Sequence, residues 1–503
     1  MTRPLSRVQR ALPSVPGARH REGSAPSGHR PAFTLALCLV LSLGSLACSV
    51  DVPVLLPPPF GPGKPQPPRL FFPTGMVVAR SGHLLVANAN FDHAYDSGAL
   101  VSLDPAWLAS VFSSTNPLVR DEQIPSSAFT SAALIGSYAG PLVLDDAAFG
   151  GQNAVQTAYT GSRDSNILAG VQVDAAGMLS CRGTGGTDCR TGVINLGLAD
   201  NLESPYGIAA GFSHPPGAAQ DLPTIFVSAL SPHIDQINSG TAYTSAPVAA
   251  LDATNPGSIL YSVLASLNNG VVNVAGGIGA GPIVFDGARR NLILGGCYQR
   301  FPNSTQGNPS TGKCVPGTVP NQLRILSVDS GSDSSVRIVD LSATVRGSEV
   351  NWMTLGPEDA NGRAHTLYAT VRNPDVLVEI ELPDDPGTLP FVTRATSLPS
   401  APGQIVRILR PAGAPPGGEL LGITGATSGT VDLFDVAAGQ VVSRIERLGE
   451  VPYSIVQLPP APGDTNAHLV AAVFGDCRLG LIEVSYAQPW QTRLRARMGT
   501  CPP

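Results

Sequence analysis

One pattern recurs seven times along this chain, and it limits the possible folds more than any other feature. An apolar segment opens on Pro, Gly or Asn. A turn follows, then a second apolar segment, a polar turn, and a third apolar segment that closes near an Asp. The clearest copy is PTGMVVARSGHLLVANANFDHAYDSGALVSLD, Pro73 to Asp104. Looser copies run over Pro141–Asp174, Pro205–Asp252, Gly281–Asp329, Asn351–Leu382, Gly403–Asp435 and Pro452–Ser485. The segments are short, rich in Val, Leu, Ile and Ala, and bounded by turn residues, which is the chemistry of β-strands. No stretch keeps the apolar period of an amphipathic helix.

A small sheet built from one copy cannot bury both of its faces, but a closed ring of such sheets can. The spacing is roughly 60 residues per copy against about 40–45 for a bare four-stranded blade, so long loops take up the excess. The expected fold is all-β, a seven-bladed β-propeller over residues 71–503, with an array of β-sandwiches as the competing arrangement. Hydrophobic residues make 43% of the chain, enough for a substantial core.

The first seventy residues break the pattern. Residues 1–31 carry six Arg against one acid, Glu22, and an apolar run, AFTLALCLVLSLGSLA, follows from Ala32 to Ala47. A basic segment, a short apolar segment and small residues describe an export signal over residues 1–47. The run is too short to span a membrane, which takes about 20 residues. SLACS then resembles a bacterial lipobox, which implies that Cys48 becomes the lipidated first residue of the mature chain, although Ser45 stands where that motif prefers Leu. The competing reading is an ordinary signal peptide cut nearby, leaving a free Cys48. Ser49 is not the Asp that retains such proteins at the inner membrane, so the resemblance favours the outer membrane. Residues 48–70 are dense in Pro and read as an extended tether.

The formal net charge is −6, and removing the signal makes it about −11, which argues against nucleic acid as a partner. Cys38 leaves with the signal. Six cysteines remain besides Cys48, and six allow fifteen pairings. Sequence-local pairs suggest themselves: Cys181–Cys189, Cys297–Cys314 and Cys477–Cys501, each closing a Gly- or Pro-rich segment. No zinc spacing and no CxxC is present. GNPSTGKC, Gly307 to Cys314, matches a phosphate-binding loop only up to its Lys, and the Pro-rich VPGTVP after it cannot start the required helix.

The first copy resembles a blade of YVTN-type propellers, whose units read as Pro-x-Gly, then a Leu-x-Val-Ala-Asn strand, then a strand ending in Asp. With the lipobox and tether, the chain resembles myxobacterial-type surface lipoproteins. The resemblance implies the fold and an envelope location. It implies no reaction, because propellers host unrelated functions.

In a propeller, the turn between the second and third segments of every copy lies around one mouth of the central channel. The polar residues of those turns are therefore the site candidates: Asn88, Asn90, Asp92 and Asp96, then Arg163 and Asp164, Asp235, Arg300, Arg372 and Asp375, and Asp476 and Arg478. Tight turns need Asn, Asp and Gly for their own sake. Two functions fit. One is a membrane-tethered binding or scaffold module for an envelope protein, a peptide or a glycan. The other is a lactonase-like propeller hydrolase in which Asn88, Asn90, Asp92 and Asp96 hold calcium or magnesium, whose charge activates water.

Overall fold

The computed structural model describes the chain from Leu55 to Cys501 except for internal stretches, the longest being 146–154, 197–203, 265–277, 303–308, 314–321 and 330–336. Blade 1 is an antiparallel sheet of Pro73–Val78, Leu84–Asn88, Gly98–Leu103 and Phe129–Ile135, in that order from the channel outward. Six further sheets repeat it. Their inner strands are Ala139–Leu144, Pro205–Ser213, Ile283–Asp286, Glu349–Leu355, Pro402–Arg407 and Pro452–Gln457. Each inner strand touches that of the next blade, and Pro452–Gln457 touches Pro73–Val78, so the ring closes. The chain is a seven-bladed β-propeller. No helix of the described residues is long and apolar enough to cross a membrane.

The seven copies read from the sequence coincide with the three inner strands of the seven blades. What they miss is the outer strand. Phe391–Ser397 alternates between exposed and half-buried positions along its whole length. Such a strand carries little apolar signal.

The core explains why the inner segments are apolar throughout rather than alternating. It is divided into seven clusters, one between each pair of neighbouring blades. In the second strand of blade 1, Leu84 and Val86 face blade 7, while Leu85 and Ala87 face blade 2. In blade 7, Leu469, Ala471 and Val473 face blade 6, and Val470 and Ala472 face blade 1. Successive side chains of a strand point to opposite faces, and here both faces are interfaces.

The Pro-x-Gly signature has a steric cause. A Cβ on Gly75 would lie 2.8 Å from the Leu142 amide nitrogen of the next blade. One on Gly207 would strike the Gly281 carbonyl and lie 2.9 Å from the Ile283 nitrogen. These glycines let neighbouring inner strands crowd the axis. Hydroxyls then clamp the approach: Thr74 donates to the Ala139 carbonyl (2.9 Å), Ser228 to Gly281 (2.6 Å) and Thr370 to Gly403 (2.8 Å). The Asp that closes a copy has a local role too. Asp104, Asp174, Asp252 and Asp435 each accept a backbone N–H two or three residues on, which turns the chain toward the outer strand.

Blades 1 and 7 meet in a seam with extra fastening. Between its third and outer strands, blade 1 inserts a helix, Pro105–Phe112, capped by Asp104, and a strand, Arg120–Glu122. That strand adds to blade 7, parallel to its outer strand Arg493–Met498. Asp121 takes ion pairs from Arg478 (3.2 Å) and Arg497 (3.0 Å) of blade 7. The Cys477–Cys501 disulfide lies beside the seam, and its Sγ of Cys477 accepts the Phe72 N–H. The second disulfide, Cys181–Cys189, holds a loop of blade 2 whose backbone bonds Leu134 of blade 1. Cys297 and Cys314 lie outside the described residues.

The insert also sets a pH response. Phe112 stacks on His468 of blade 7 with ring centroids 4.2 Å apart. Burial lowers the His468 pKa, and Glu483 and Asp464 offset this only in part. The unfolded chain therefore binds more protons here than the folded one. The stability it contributes is complete above the unfolded histidine value, about 6.5, and declines as pH falls below it. Calorimetry between pH 7.5 and pH 5.5 should show a falling melting temperature. His468→Phe keeps the stack and should make that slope shallower, with the rest coming from His83, whose pKa burial also lowers; an unchanged slope would remove His468 as a source.

The Pro-rich stretch is not separate from the body throughout. Pro57 and Pro58 are buried, Phe60 packs against the blade 1–blade 7 core, and the Leu55 carbonyl accepts the Asp96 N–H at 2.9 Å. Packing on the propeller thus starts near Leu55, ahead of the boundary at residue 71 that composition suggests.

Candidate functional site

The inner strands all enter the channel at the same mouth, where the turns between second and third strands also gather. Six of the seven inner strands carry a register shift near their start or along them, for example between Pro205 and Ile208 and between Pro452 and Ser454. A bulge re-aims the side chains around it. At this mouth the first residues of the inner strands and the ends of the second strands enclose a cavity of about 220 Å³.

Its lining comes from blades 2 to 7. Arg163 and Arg372 reach it from the turns of blades 2 and 5, and Tyr206, Trp352, Gln404 and Tyr453 from the inner strands of blades 3, 5, 6 and 7. The Arg163 guanidinium lies 5.9 Å from the centre of the Tyr206 ring. Its Nε is buried without a hydrogen-bond partner among the described residues. The Arg372 Nε donates to the Pro402 carbonyl at 3.3 Å. The described lining contains no carboxylate, imidazole or thiol.

An aromatic ridge continues from the cavity onto the rim. Tyr453 contacts Phe474 at 6.2 Å between centroids. Phe474 packs on Phe72 (5.2 Å) and Phe91 (5.3 Å), and Phe91 on Tyr138 (5.0 Å). Phe91 sits at the tip of the blade 1 turn and is 47% exposed.

The other candidates take different places. Asn88 is fully buried; its Oδ1 accepts the Phe71 N–H (3.0 Å) and its Nδ2 donates to the Arg69 carbonyl (3.3 Å). Asn90, in the left-handed region at φ 50°, accepts the Tyr95 N–H (3.0 Å) and donates to Ser137 Oγ (2.9 Å). Asp92 accepts the Ala94 N–H at 3.1 Å. Asp96 is exposed beside Leu55. These bonds tie Asn88, Asn90 and Asp92 to the local chain. Among the described residues no three His, Cys, Asp or Glu side chains gather as a metal site.

Asp164 accepts from the Ser165 hydroxyl (3.0 Å), Asp375 from the Ala401 N–H (2.7 Å) and Asp476 from the Glu450 N–H (2.9 Å). Arg478 turns to Asp121. Asp235 and Arg300 sit on added strands, Ile234–Ile237 and Tyr298–Pro302, in the long second-to-third-strand connections of blades 3 and 4; their side chains lie outside the described residues. Pro309–Lys313, from the Gly307–Cys314 motif, is a strand.

Of the twelve turn residues proposed from sequence, the cavity takes up Arg163 and Arg372. Sequence reasoning missed Tyr206, Trp352, Gln404 and Tyr453. Their signal lies in the repeat itself: Tyr206 and Tyr453 both follow the Pro that opens an inner strand.

These features define a class: a closed seven-bladed propeller whose channel mouth is lined by arginine and aromatic side chains. The sequence matches no protein-family model and none of the curated proteins compared with it. Its likeness to solved structures is one of fold. A structure titled Kuenenia stuttgartiensis hydrazine synthase aligns at 12% identity with a TM-score of 0.47, covering 85% of this chain and 99% of that one. The β-propeller domain of Myceliophteria thermophila Cps50 (Swd1) aligns at 10% identity with a TM-score of 0.45, covering 83% and 97%. Saccharomyces cerevisiae Sqt1 aligns at 9% identity with a TM-score of 0.42, covering 80% and 81%.

Proposed function

We propose that this propeller is a YVTN-type binding module of the cell envelope, lipidated at Cys48, held at the outer membrane, and engaging a protein, peptide or glycan at its channel mouth. The observation that carries the binding role is the mouth cavity. It joins residues of six blades and offers hydrogen-bond donors and aromatic walls. Its described lining provides no carboxylate or imidazole to exchange a proton at neutral pH, which favours holding a ligand over hydrolysing one. The long connections of blades 3 and 4 extend the same face.

One experiment in the native host tests both parts. A photo-crosslinking amino acid at position 352 should capture an adduct. The same group at Trp490, which is 63% exposed on blade 7 away from the mouth, should not. Adducts at 490 alone, or at neither, would remove the mouth as the binding site. In the same cells Cys48→Ala should release the protein from the membrane fraction; unchanged fractionation would count against lipidation.

A further inference from the structure

Resting on that reading, we infer that the channel mouth recognises a carboxylate carried on an apolar or aromatic body, with Arg163 and Arg372 taking the carboxylate and the Tyr453–Phe474–Phe91 ridge taking the body.

The first observation is an imbalance of charge. The chain has more acids than bases, 37 Asp and Glu against 31 Lys and Arg. Many of its other arginines are matched with acids: Arg190 with Asp188, Arg289 with Asp286, Arg394 with Glu379, Arg407 with Glu419, Arg444 with Asp432, and Arg495 with Glu483, while Arg120, Arg182 and Arg410 donate to backbone carbonyls. Arg163 and Arg372 have no ion pair among the described residues, and the described cavity lining between them holds no acid. The Arg163 Nε is buried with no partner among the described residues. A buried donor left unmade costs free energy. A guanidinium pairs with a carboxylate through two parallel hydrogen bonds, which are strong and directional. A ligand carboxylate would supply what the protein withholds.

The second observation is continuity. The cavity, about 220 Å³, is smaller than the roughly 300–1,000 Å³ that encloses a drug-sized ligand. It suits the acidic end of a molecule rather than the whole of it. Tyr453 belongs both to the cavity wall and to the ridge, so a chain leaving the cavity meets Phe474 and the exposed Phe91 next. That ridge is phenylalanine-rich and edge-packed, which suits apolar side chains better than sugar hydroxyls.

Two sources share this chemistry: a free aryl or alkyl acid, and the C-terminus of a peptide ending in apolar residues. Calorimetric titration of the purified full chain separates them. The probes are 3-phenylpropionate, a pool of acetylated tetrapeptides with varied apolar C-terminal residues, the same pool capped as amides, and polygalacturonate as an acidic glycan.

The free-acid probes should bind, and amide capping should weaken the peptides at least about tenfold, the equivalent of one charge-assisted hydrogen bond. Arg163→Ala and Arg372→Ala should each cause a similar loss for the acids and none for the amides, with melting temperature unchanged. Arg163→Lys should recover part of the loss. Binding of 3-phenylpropionate as tightly as the peptides points to a free acid, and binding of peptides alone to a polypeptide end. Amides that bind as well as acids, arginine variants that bind normally, binding of polygalacturonate alone, or no binding by any probe would overturn the inference. If crosslinking at position 352 still yields an adduct in that event, the binding function stands and only its ligand class falls.

Discussion

Gly207→Ala is expected to destabilise the propeller by about 3 kcal/mol or more, at the upper end of what overpacking a core costs. The added methyl would strike the Gly281 carbonyl and lie 2.6 Å from Ser228 Oγ. Neither neighbour can retreat. The Gly281 carbonyl accepts the Ser228 hydroxyl, and the Gly281 N–H is itself bonded to the Gly295 carbonyl at 2.8 Å. The inner strands of blades 3 and 4 must therefore part, and the Phe226–Ile283–Leu294 cluster between them loses its fit. Gly186, which has nothing within 4 Å of its would-be Cβ, is the matched control. Gly186→Ala should change stability by no more than about 0.5 kcal/mol. Chemical denaturation of both variants decides the matter: equal midpoints would show that the Pro-x-Gly glycine is not a steric requirement.

Breaking the Cys477–Cys501 bridge should cost about 2–5 kcal/mol, the usual range for a native disulfide. The bridge spans 24 residues and ties the final segment to the turn before the third strand of blade 7. Its loss also loosens the Phe72 N–H bond to Cys477 Sγ and the approach of the Arg120–Glu122 strand, a clasp between blades 1 and 7. Cys501→Ser should lower the melting temperature, and hydrogen exchange at Gly499, whose N–H bonds the Glu122 carbonyl, should accelerate before exchange elsewhere. Unaltered exchange at Gly499 would place the stabilisation in the unfolded chain rather than at the seam.

Much of this architecture is legible in the sequence. The Pro-x-Gly, apolar, Asp-terminated copies mark the three inner strands of each blade because those strands are buried on both faces. Leu84–Asn88 is buried at every position, and no amphipathic pattern dilutes it. Outer strands such as Gln440–Ile445 and Phe391–Ser397 are half solvated and carry mixed residues, so they leave no comparable trace. The clasp strand, RDE, has only three residues and no apolar one. Its pairing depends entirely on the partner edge.

The site was legible in location rather than in membership. The second-to-third-strand turns do ring one mouth, and Arg163 and Arg372 face its cavity. Asp375 and Asp476 satisfy backbone N–H groups instead, and Asp164 the Ser165 hydroxyl, which no pattern of charges can foretell. The residues that follow the opening Pro of an inner strand escaped notice because a lone aromatic in a strand reads as core. Only a bulge can turn it toward the channel.

The clasp also dictates an order of events. Phe72 and Cys477 stand 405 positions apart, and Gln123 and Thr500 stand 377 apart. A chain emerging from the ribosome or crossing a membrane presents blade 1 first and the last strand of blade 7 last. Until residue 500 exists, one face of blade 1 stays uncovered and the Arg120–Glu122 strand has nothing to pair with. Contacts between such distant positions close slowly, and unpaired strand edges invite other chains while they wait. The final fifty residues are therefore the lock of this molecule, and truncation there leaves not a shorter propeller but an open one.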